Sequence, residues 1–221
     1  SPDRPVGQCA SRSGCLRASA DFCSVETERK GGHAARPHGG IDPAIVGAQS
    51  VNCFHSIVSR TTDPIESLVI STTQIHLGDA DNVIPQTARM SGTVRTLKPE
   101  VRDLAEARMK AVCENIGAAF EAKVNFIYAR NYPVTVNHPE QTAFAASVAR
   151  HVVGDTNVDE NTPPVMGGED FSFMLEARPG AFIFVGQGGA AGLHHPEYDF
   201  NDDILPIGAS YWVQLTRDCL A

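Results

Sequence analysis

The spacing of apolar residues between positions 18 and 130 switches repeatedly between two periods, and this switching limits the chain to few folds. Alternating apolar residues predict four strands, at about 20–27, 67–77, 88–94 and 124–128. Apolar residues three to four positions apart predict two helices, at about 43–63 and 99–120. The order β-α-β-β-α-β is that of the ferredoxin-like fold, in which two helices cover one face of a four-stranded antiparallel sheet. In the second strand, Val69, Ile75 and Leu77 are predicted to lie on one side.

The rest of the chain, residues 1–17 and 132–221, has too few predicted elements for a core of its own. Helices are predicted at 139–153 and 205–220, with one apolar strand at 181–185. The last helix is predicted to carry Ile207, Tyr211, Trp212 and Leu215 on one stripe. We therefore expect an α/β chain with two domains: an α+β unit at 18–131, and an incomplete α/β unit at 1–17 and 132–221 whose remaining strands lie elsewhere.

Charge and hydropathy narrow the class of partner. The formal net charge is -8, and lysine and arginine do not cluster, which disfavours a nucleic-acid partner. No apolar run is long enough to cross a bilayer, and residues 1–14 lack the apolar segment of a signal peptide. The sequence thus predicts a cytoplasmic protein that binds neither membranes nor nucleic acid.

The six cysteines lack any Cys-x-x-Cys pair, and a chain of 221 residues does not need disulfides for stability. We expect free thiols. A zinc site made by Cys9, Cys15 and Cys23 is the alternative, although their spacing fits no compact structural site.

Four polar clusters are candidate functional sites, and each has a purely structural alternative. Residues 192–203 contain His194 and His195 in a loop before the last helix, which equally suits a surface loop with a helix cap. Residues 166–173 place Glu169 after two glycines, as a capped helix start also would. Residues 31–38 present His33, and a lone loop histidine is more often simply exposed. Residues 81–85 present Asn82 in a turn, where its side chain could either cap the turn or reach a ligand.

Arg95 ends the strand that follows this turn. Its guanidinium could hold a carboxylate through two hydrogen bonds, whereas most exposed strand arginines have no such role.

The amino-acid sequences of these clusters and their order along the chain resemble one family. The phrases are GGHAARPHGGIDP from Gly31, NVIPQTARMSGTVRT from Asn82, MGGEDFSFML from Met166, PGAFIFVG from Pro179 and LHHPEYDFNDDILPIGA from Leu193. They resemble the metallopeptidase-like amidohydrolases, which include hippurate hydrolase, N-acyl-amino-acid deacylases and auxin-conjugate hydrolases.

This resemblance implies an α/β catalytic domain with two divalent metal ions, zinc or manganese, and an inserted lid that also forms a homodimer. A metal-activated water would attack the amide of an N-acyl amino acid. His194 would be a metal ligand and His195 only its neighbour. His33 would stabilise the oxyanion in the partner subunit's site, and Asn82, Arg95 and Glu169 would contact substrate.

The resemblance also implies what is missing. In relatives the other metal ligands, a Cys-x-His pair, a glutamate and a histidine, lie with the catalytic glutamate in a segment upstream of the part that resembles this chain. We therefore expect a truncated chain that binds metal poorly and is inactive alone. Relatives also usually place a glycine near Arg29, where this chain differs. The alternative is a non-catalytic dimerisation or small-molecule-binding protein built on the lid fold.

Overall fold

The computed structural model describes residues 1–28, 30–189 and 191–221, which form two compact units. The departure near Arg29 lies outside the described residues. Unit 1 comprises Ser1–Arg17, Thr135–Val165 and Asp170–Ala221, and unit 2 comprises Ala18–Val134 and Met166–Glu169. Unit 2 therefore extends beyond the predicted boundary at residue 131 and also includes four residues of the Gly-Gly-Glu segment.

The described elements, in chain order, are the following. The strands are β1 (Cys9–Ala10), β2 (Gly14–Arg17), β3 (Ala20–Glu28), β4 (Gly32–His33), β5 (Leu68–Leu77), β6 (Val83–Ile84), β7 (Thr87–Thr96), β8 (Lys123–Tyr132), β9 (Thr135–Asn137), β10 (Val158–Asp159) and β11 (Phe184–Val185). The helices are α1 (Pro43–Ser56), α2 (Pro99–Ala119), α3 (Pro139–Val153), α4 (Phe171–Ala177) and α5 (Leu205–Leu220). One turn of π-helix, Ile57–Thr61, continues α1.

Unit 2 is built on a four-stranded antiparallel sheet in the order β5-β7-β3-β8. Helices α1 and α2 supply the other half of its core, which contains Val25, Met90, Val94, Phe54 and Met109. Asp42 starts α1 as predicted: its Oδ1 accepts a hydrogen bond from Ala44 N at 2.9 Å, and Pro43 occupies the first turn. The chain thus has a mixed α/β fold with this sheet at the centre of unit 2.

The predicted common side of Val69, Ile75 and Leu77 is wrong. An irregularity between Thr72 and Gln74 shifts the pairing of β5 with β7 by one residue. Because alternation restarts after the bulge, Ile75 lies opposite buried Met90 on the helix-covered side, whereas Val69 lies on the open face.

Unit 1 contains two small sheets, β10-β1-β11 and β2-β9, and its buried cluster brings α3 and α5 together. Tyr211 of α5 is buried in that cluster, but Trp212 is 65% exposed, so the predicted stripe is wrong at this position. Successive helical residues differ by about 100°, and Trp212 faces away from the side that Tyr211 buries.

All six cysteines are free thiols. Burial raises the pKa of Cys23 to about 11 and that of Cys113 to about 12, which makes both poor nucleophiles. Within the described ranges, no helix is long and apolar enough to cross a membrane.

Candidate functional site

His194 lies in a tight turn between β11 and α5. His195 N donates to Gly192 O at 3.1 Å, so Leu193 and His194 are the central residues of the turn. His194 has a φ of 67°, the left-handed region that a type II turn requires at this position. A histidine there is unfavourable compared with glycine, so the turn presents this imidazole at some cost in stability.

The two neighbouring imidazoles differ in which nitrogen atoms are available. His195 Nδ1 accepts a hydrogen bond from Glu197 N at 3.1 Å, so in the neutral ring the proton lies on Nε2. The His194 ring is exposed, and no hydrogen bond of the described residues engages it. Of the pair, His194 is therefore the side chain with a lone pair available to a metal ion.

The same loop also contains the predicted helix cap. Asn201 Oδ1 accepts a hydrogen bond from Asp203 N at 2.9 Å and begins the short 3-10 turn before α5. The loop therefore serves both purposes through different residues: Asn201 caps the helical turn, and His194 exposes an imidazole.

Gln187 is a residue of this site that the sequence analysis missed. Its side chain is 2% exposed, accepts from Tyr198 Oη at 2.9 Å and donates to Asp199 O at 3.3 Å. Its carbonyl accepts from Asn201 Nδ2 at 2.9 Å. The available signal was a single amide side chain two residues after the end of β11, too little to single it out.

His33 ends β4, which pairs with β6 in a two-stranded ribbon, and Asn82 lies beside it, directly before β6. His33 pairs with Val83, and Ala34 N donates to Asn82 O at 3.0 Å. His33 Nδ1 accepts from Ala35 N at 3.1 Å, which places the proton of the neutral ring on Nε2. The exposed His33 ring therefore offers an N–H donor to a ligand.

Arg95 lies at the opposite end of unit 2 from this ribbon. In the antiparallel ladder Glu28 pairs with Thr87, and the β4–β6 pairing continues beyond that end. Arg95 is eight residues from Thr87 in β7, about 27 Å along an extended strand. Within a single unit 2, one small molecule thus cannot contact both Arg95 and the pair formed by His33 and Asn82.

The segment Met166–Glu169 packs beside Arg95. A Cβ atom at Gly168 would lie 2.6 Å from Ala20 Cβ and 2.9 Å from Arg95 Nη1, so only glycine fits without displacing its neighbours. Glu169 follows directly and is half-buried. Asp170, before α4, makes no side-chain capping hydrogen bond. The structure therefore brings Arg95 and the Gly-Gly-Glu segment together.

The side chains of the described residues that could bind a metal ion do not form a metal site by themselves. Nowhere in residues 1–28, 30–189 and 191–221 do three or more His, Cys, Asp or Glu side chains form a group that could hold a metal ion. A single imidazole such as that of His194 binds a divalent metal only weakly.

Known proteins resemble the chain along its length. A model of peptidase family M20/M25/M40 matches residues 2–218. The N-acetylcysteine deacetylase of Bacillus subtilis is 35% identical over 214 residues, which are 97% of this chain and 56% of that protein. The hippurate hydrolase of Campylobacter jejuni is 34% identical over 204 residues, which are 92% of this chain and 53% of that enzyme.

Solved structures give the same picture. A protein of Bacillus subtilis described as a dinuclear metal-binding peptidase of family M20 superposes with a TM-score of 0.78 and 27% identity. The superposition covers 100% of this chain and 55% of that one. The chain thus spans about half the length of the curated relatives it matches, 53% for the hippurate hydrolase. Since the family model matches nearly every residue, this chain belongs to peptidase family M20/M25/M40.

Proposed function

We propose that the chain is part of a metal-dependent amidohydrolase that cleaves the amide bond of N-acyl amino acids such as hippurate. It supplies a ferredoxin-like lid, unit 2, and a portion of the catalytic domain, unit 1. The observation that supports this most directly is the His33 ring, whose hydrogen bond from Ala35 N leaves an exposed Nε2–H donor. Amide hydrolysis needs such a donor, because negative charge develops on the carbonyl oxygen in the transition state.

His33 would serve the site of a partner subunit. Arg95 lies about 27 Å from the Thr87 end of β7, whereas the amide and the carboxylate of an N-acyl amino acid are only a few bonds apart. If Arg95 holds the substrate carboxylate, His33 and Asn82 must reach the same substrate from another copy of the lid. Glu169, which follows the glycine packed against Arg95, would contact the substrate beside it.

His194 would contribute one ligand to a two-metal centre. The remaining ligands would come from polypeptide corresponding to the part of the relatives outside the match, since the curated relatives are about twice as long as the matched region. Zinc or manganese bound there would lower the pKa of a bound water. The uncommitted imidazole of His194 supports its role as a ligand.

Activity is expected to require that additional polypeptide. The 221-residue chain, with added zinc or manganese, should release no benzoate from hippurate, because one imidazole does not hold a catalytic metal. A longer form that also contains polypeptide corresponding to the unmatched part of the relatives, referred to below as the extended protein, should hydrolyse hippurate or another N-acyl amino acid. In the extended protein, His194→Gly should preserve the turn but lower kcat/KM by about 100-fold or more. Replacing a metal ligand should reduce activity at least as much as replacing a residue that only orients a ligand. Benzoate or acetate release, measured at steady state, reports these activities.

Two variants provide the controls. His195→Ala should have a much smaller effect than His194→Gly, because the His195 ring already uses Nδ1 within its own loop. Steady hydrolysis by the pure 221-residue chain would contradict the incomplete metal centre. An extended protein that cleaves no N-acyl amino acid would contradict the amidohydrolase proposal and favour a non-catalytic binding protein built on the lid.

The proposed homodimer would form through β5 and the helix beside it. β5 is an edge strand without a charged residue, whereas the other edge, β8, carries Lys123 and Arg130, which protect an edge from pairing. Ile75 and Leu77 are 52% and 42% exposed on the helix-covered side, next to an open cavity of about 760 Å³. Pairing two β5 edges about a two-fold axis would cover these side chains.

Light scattering of the 221-residue chain at micromolar concentration should give the mass of a dimer. Ile75→Lys should shift it to a monomer, because the change places a charge in the contact. Ile127→Lys is the matched control: Ile127 is 54% exposed on β8, so its replacement should leave the dimer intact. A monomeric wild-type chain would contradict the homodimer, and a dimer insensitive to Ile75→Lys would contradict the β5 contact.

A further inference from the structure

The loop that presents His194 is a chain of turns anchored at one buried side chain. Tyr198 N donates to His195 O at 2.9 Å, and His195 N donates to Gly192 O at 3.1 Å, so two turns follow each other. The second turn ends at Tyr198, whose hydroxyl donates to Gln187 Oε1 at 2.9 Å. The conformation of His194 is thus connected to Gln187 through hydrogen bonds of known geometry.

Gln187 uses all of its side-chain polar atoms on this loop. Oε1 accepts from Tyr198, Nε2 donates to Asp199 O, and the residue is 2% exposed, so water does not replace these partners. The Gln187 carbonyl accepts from Asn201 Nδ2, and Asn201 caps the turn before α5. One residue therefore fixes where the His194 loop ends and where α5 begins.

We infer that Gln187 is a positioning residue for the metal-binding site: its hydrogen bonds to Tyr198 and Asp199 hold His194 in the left-handed conformation that presents the imidazole. This inference rests on the proposed role of His194. A side chain that orients a metal ligand typically changes metal affinity or activity by about 10–100-fold when it is replaced, although it never touches the metal.

The chemistry of the amide distinguishes this role from simple filling of space. Methionine has nearly the volume of glutamine but accepts and donates no comparable hydrogen bond. Glutamate can still accept from Tyr198, but its ionised carboxylate faces the Asp199 carbonyl and has no proton to donate. When protonated, the same carboxyl group can donate to Asp199 O. Gln187→Glu should therefore hold the loop at low pH and release it at high pH.

The test uses the 221-residue chain labelled with ¹⁵N and ¹³C, and Zn²⁺ alone as the probe. NMR couplings and the intraresidue amide-to-Hα nuclear Overhauser effect report the φ angle of His194, and its imidazole shifts during Zn²⁺ titration report metal binding. In Gln187→Met, we expect His194 to lose its single positive-φ conformer, whereas the weak response of this single imidazole to Zn²⁺ should persist, because binding through one ligand does not depend on the orientation of the ring. The melting temperature should fall further than in the control Gln214→Met, which removes an exposed hydrogen bond to Asp218 Oδ1 on α5, because Gln187 is buried. The φ angle of His194, and not the melting temperature, therefore decides the test.

Gln187→Glu should regain the wild-type φ signature as the pH is lowered, a dependence that the wild-type chain and Gln214→Met should not show. A Gln187→Met protein whose His194 keeps its single positive-φ conformation would overturn the inference. So would loss of His194 geometry in Gln214→Met to the same degree. If wild-type His194 shows no response to Zn²⁺, its proposed role as a ligand fails, while the φ measurements still decide whether Gln187 positions it.

Discussion

Replacing Asp21 with alanine is expected to lower the free energy of unfolding by about 3–5 kcal/mol. Asp21 is fully buried in unit 2 and accepts hydrogen bonds from Arg102 Nε and Tyr128 Oη, both at 2.8 Å, and from Asn131 N at 3.0 Å. Arg102 Nη2 also pairs with Asp21 Oδ1, so the ion pair is bidentate. Burial, and then the hydrogen bond to Asp21, raise the pKa of the Tyr128 phenol, which keeps it a neutral donor. Without Asp21, the Arg102 guanidinium would remain in the interior with no counter-charge.

Urea unfolding of the variants measures this effect. The control is Glu26→Ala on the same sheet, which removes the exposed ion pair with Arg89 Nε at 2.8 Å and should cost less than about 1 kcal/mol. Replacing Asp21, Arg102 and Tyr128 together by Leu, Met and Phe should recover much of the loss, because no buried charge is then left unpaired. If Asp21→Ala costs no more than Glu26→Ala, the cluster does not stabilise unit 2.

The helices show which parts of the fold could be predicted from the sequence. The structure gives α3 and α5 the predicted bounds, Pro139–Val153 and Leu205–Leu220, because proline in the first turn and apolar periodicity both act locally. Periodicity fails where a non-local feature intervenes. The bulge between Thr72 and Gln74 moves Val69 to the face opposite Ile75, and nothing in the local composition indicates an extra residue.

The candidate site was also predicted only in part. His33, Asn82, Arg95, Glu169 and His194 were noticed in polar clusters or at a strand end, but each also had a purely structural explanation, and only the resemblance of whole sequence segments assigned them roles. The structure adds that His33 and Asn82 lie together and far from Arg95, because β6 precedes β7 at one end and Arg95 lies near the other. Gln187 and Asp21 were missed because a single buried polar residue produces no periodic pattern in the sequence. The partner of Asp21, Arg102, is 81 positions away in the chain.

Asn137 joins three segments of unit 1 in the same non-local manner. It is 1% exposed at the end of β9, and its Nδ2 lies 3.0 Å from Arg12 O, 3.0 Å from Phe182 O and 3.1 Å from Ser11 Oγ. Its Oδ1 accepts from Phe182 N at 2.7 Å. Every polar atom of this amide is therefore used, and its partners lie in a part of unit 1 where water does not replace them.

Asn137→Ala is accordingly expected to lower the free energy of unfolding by about 3–5 kcal/mol, since each buried group left without a partner costs about 1–3 kcal/mol. Asn137→Asp should be at least as unfavourable, because it places a carboxylate among three oxygen atoms while keeping the acceptor for Phe182 N–H. Urea unfolding gives the free energies, and faster hydrogen exchange at the Phe182 amide would locate the loss in unit 1. The control is Asn161→Ala, at an exposed position, which should change stability by less than about 0.5 kcal/mol. Equal stabilities of Asn137→Ala and Asn161→Ala would mean that the Asn137 amide does not hold β9 to the segments that contain Ser11, Arg12 and Phe182.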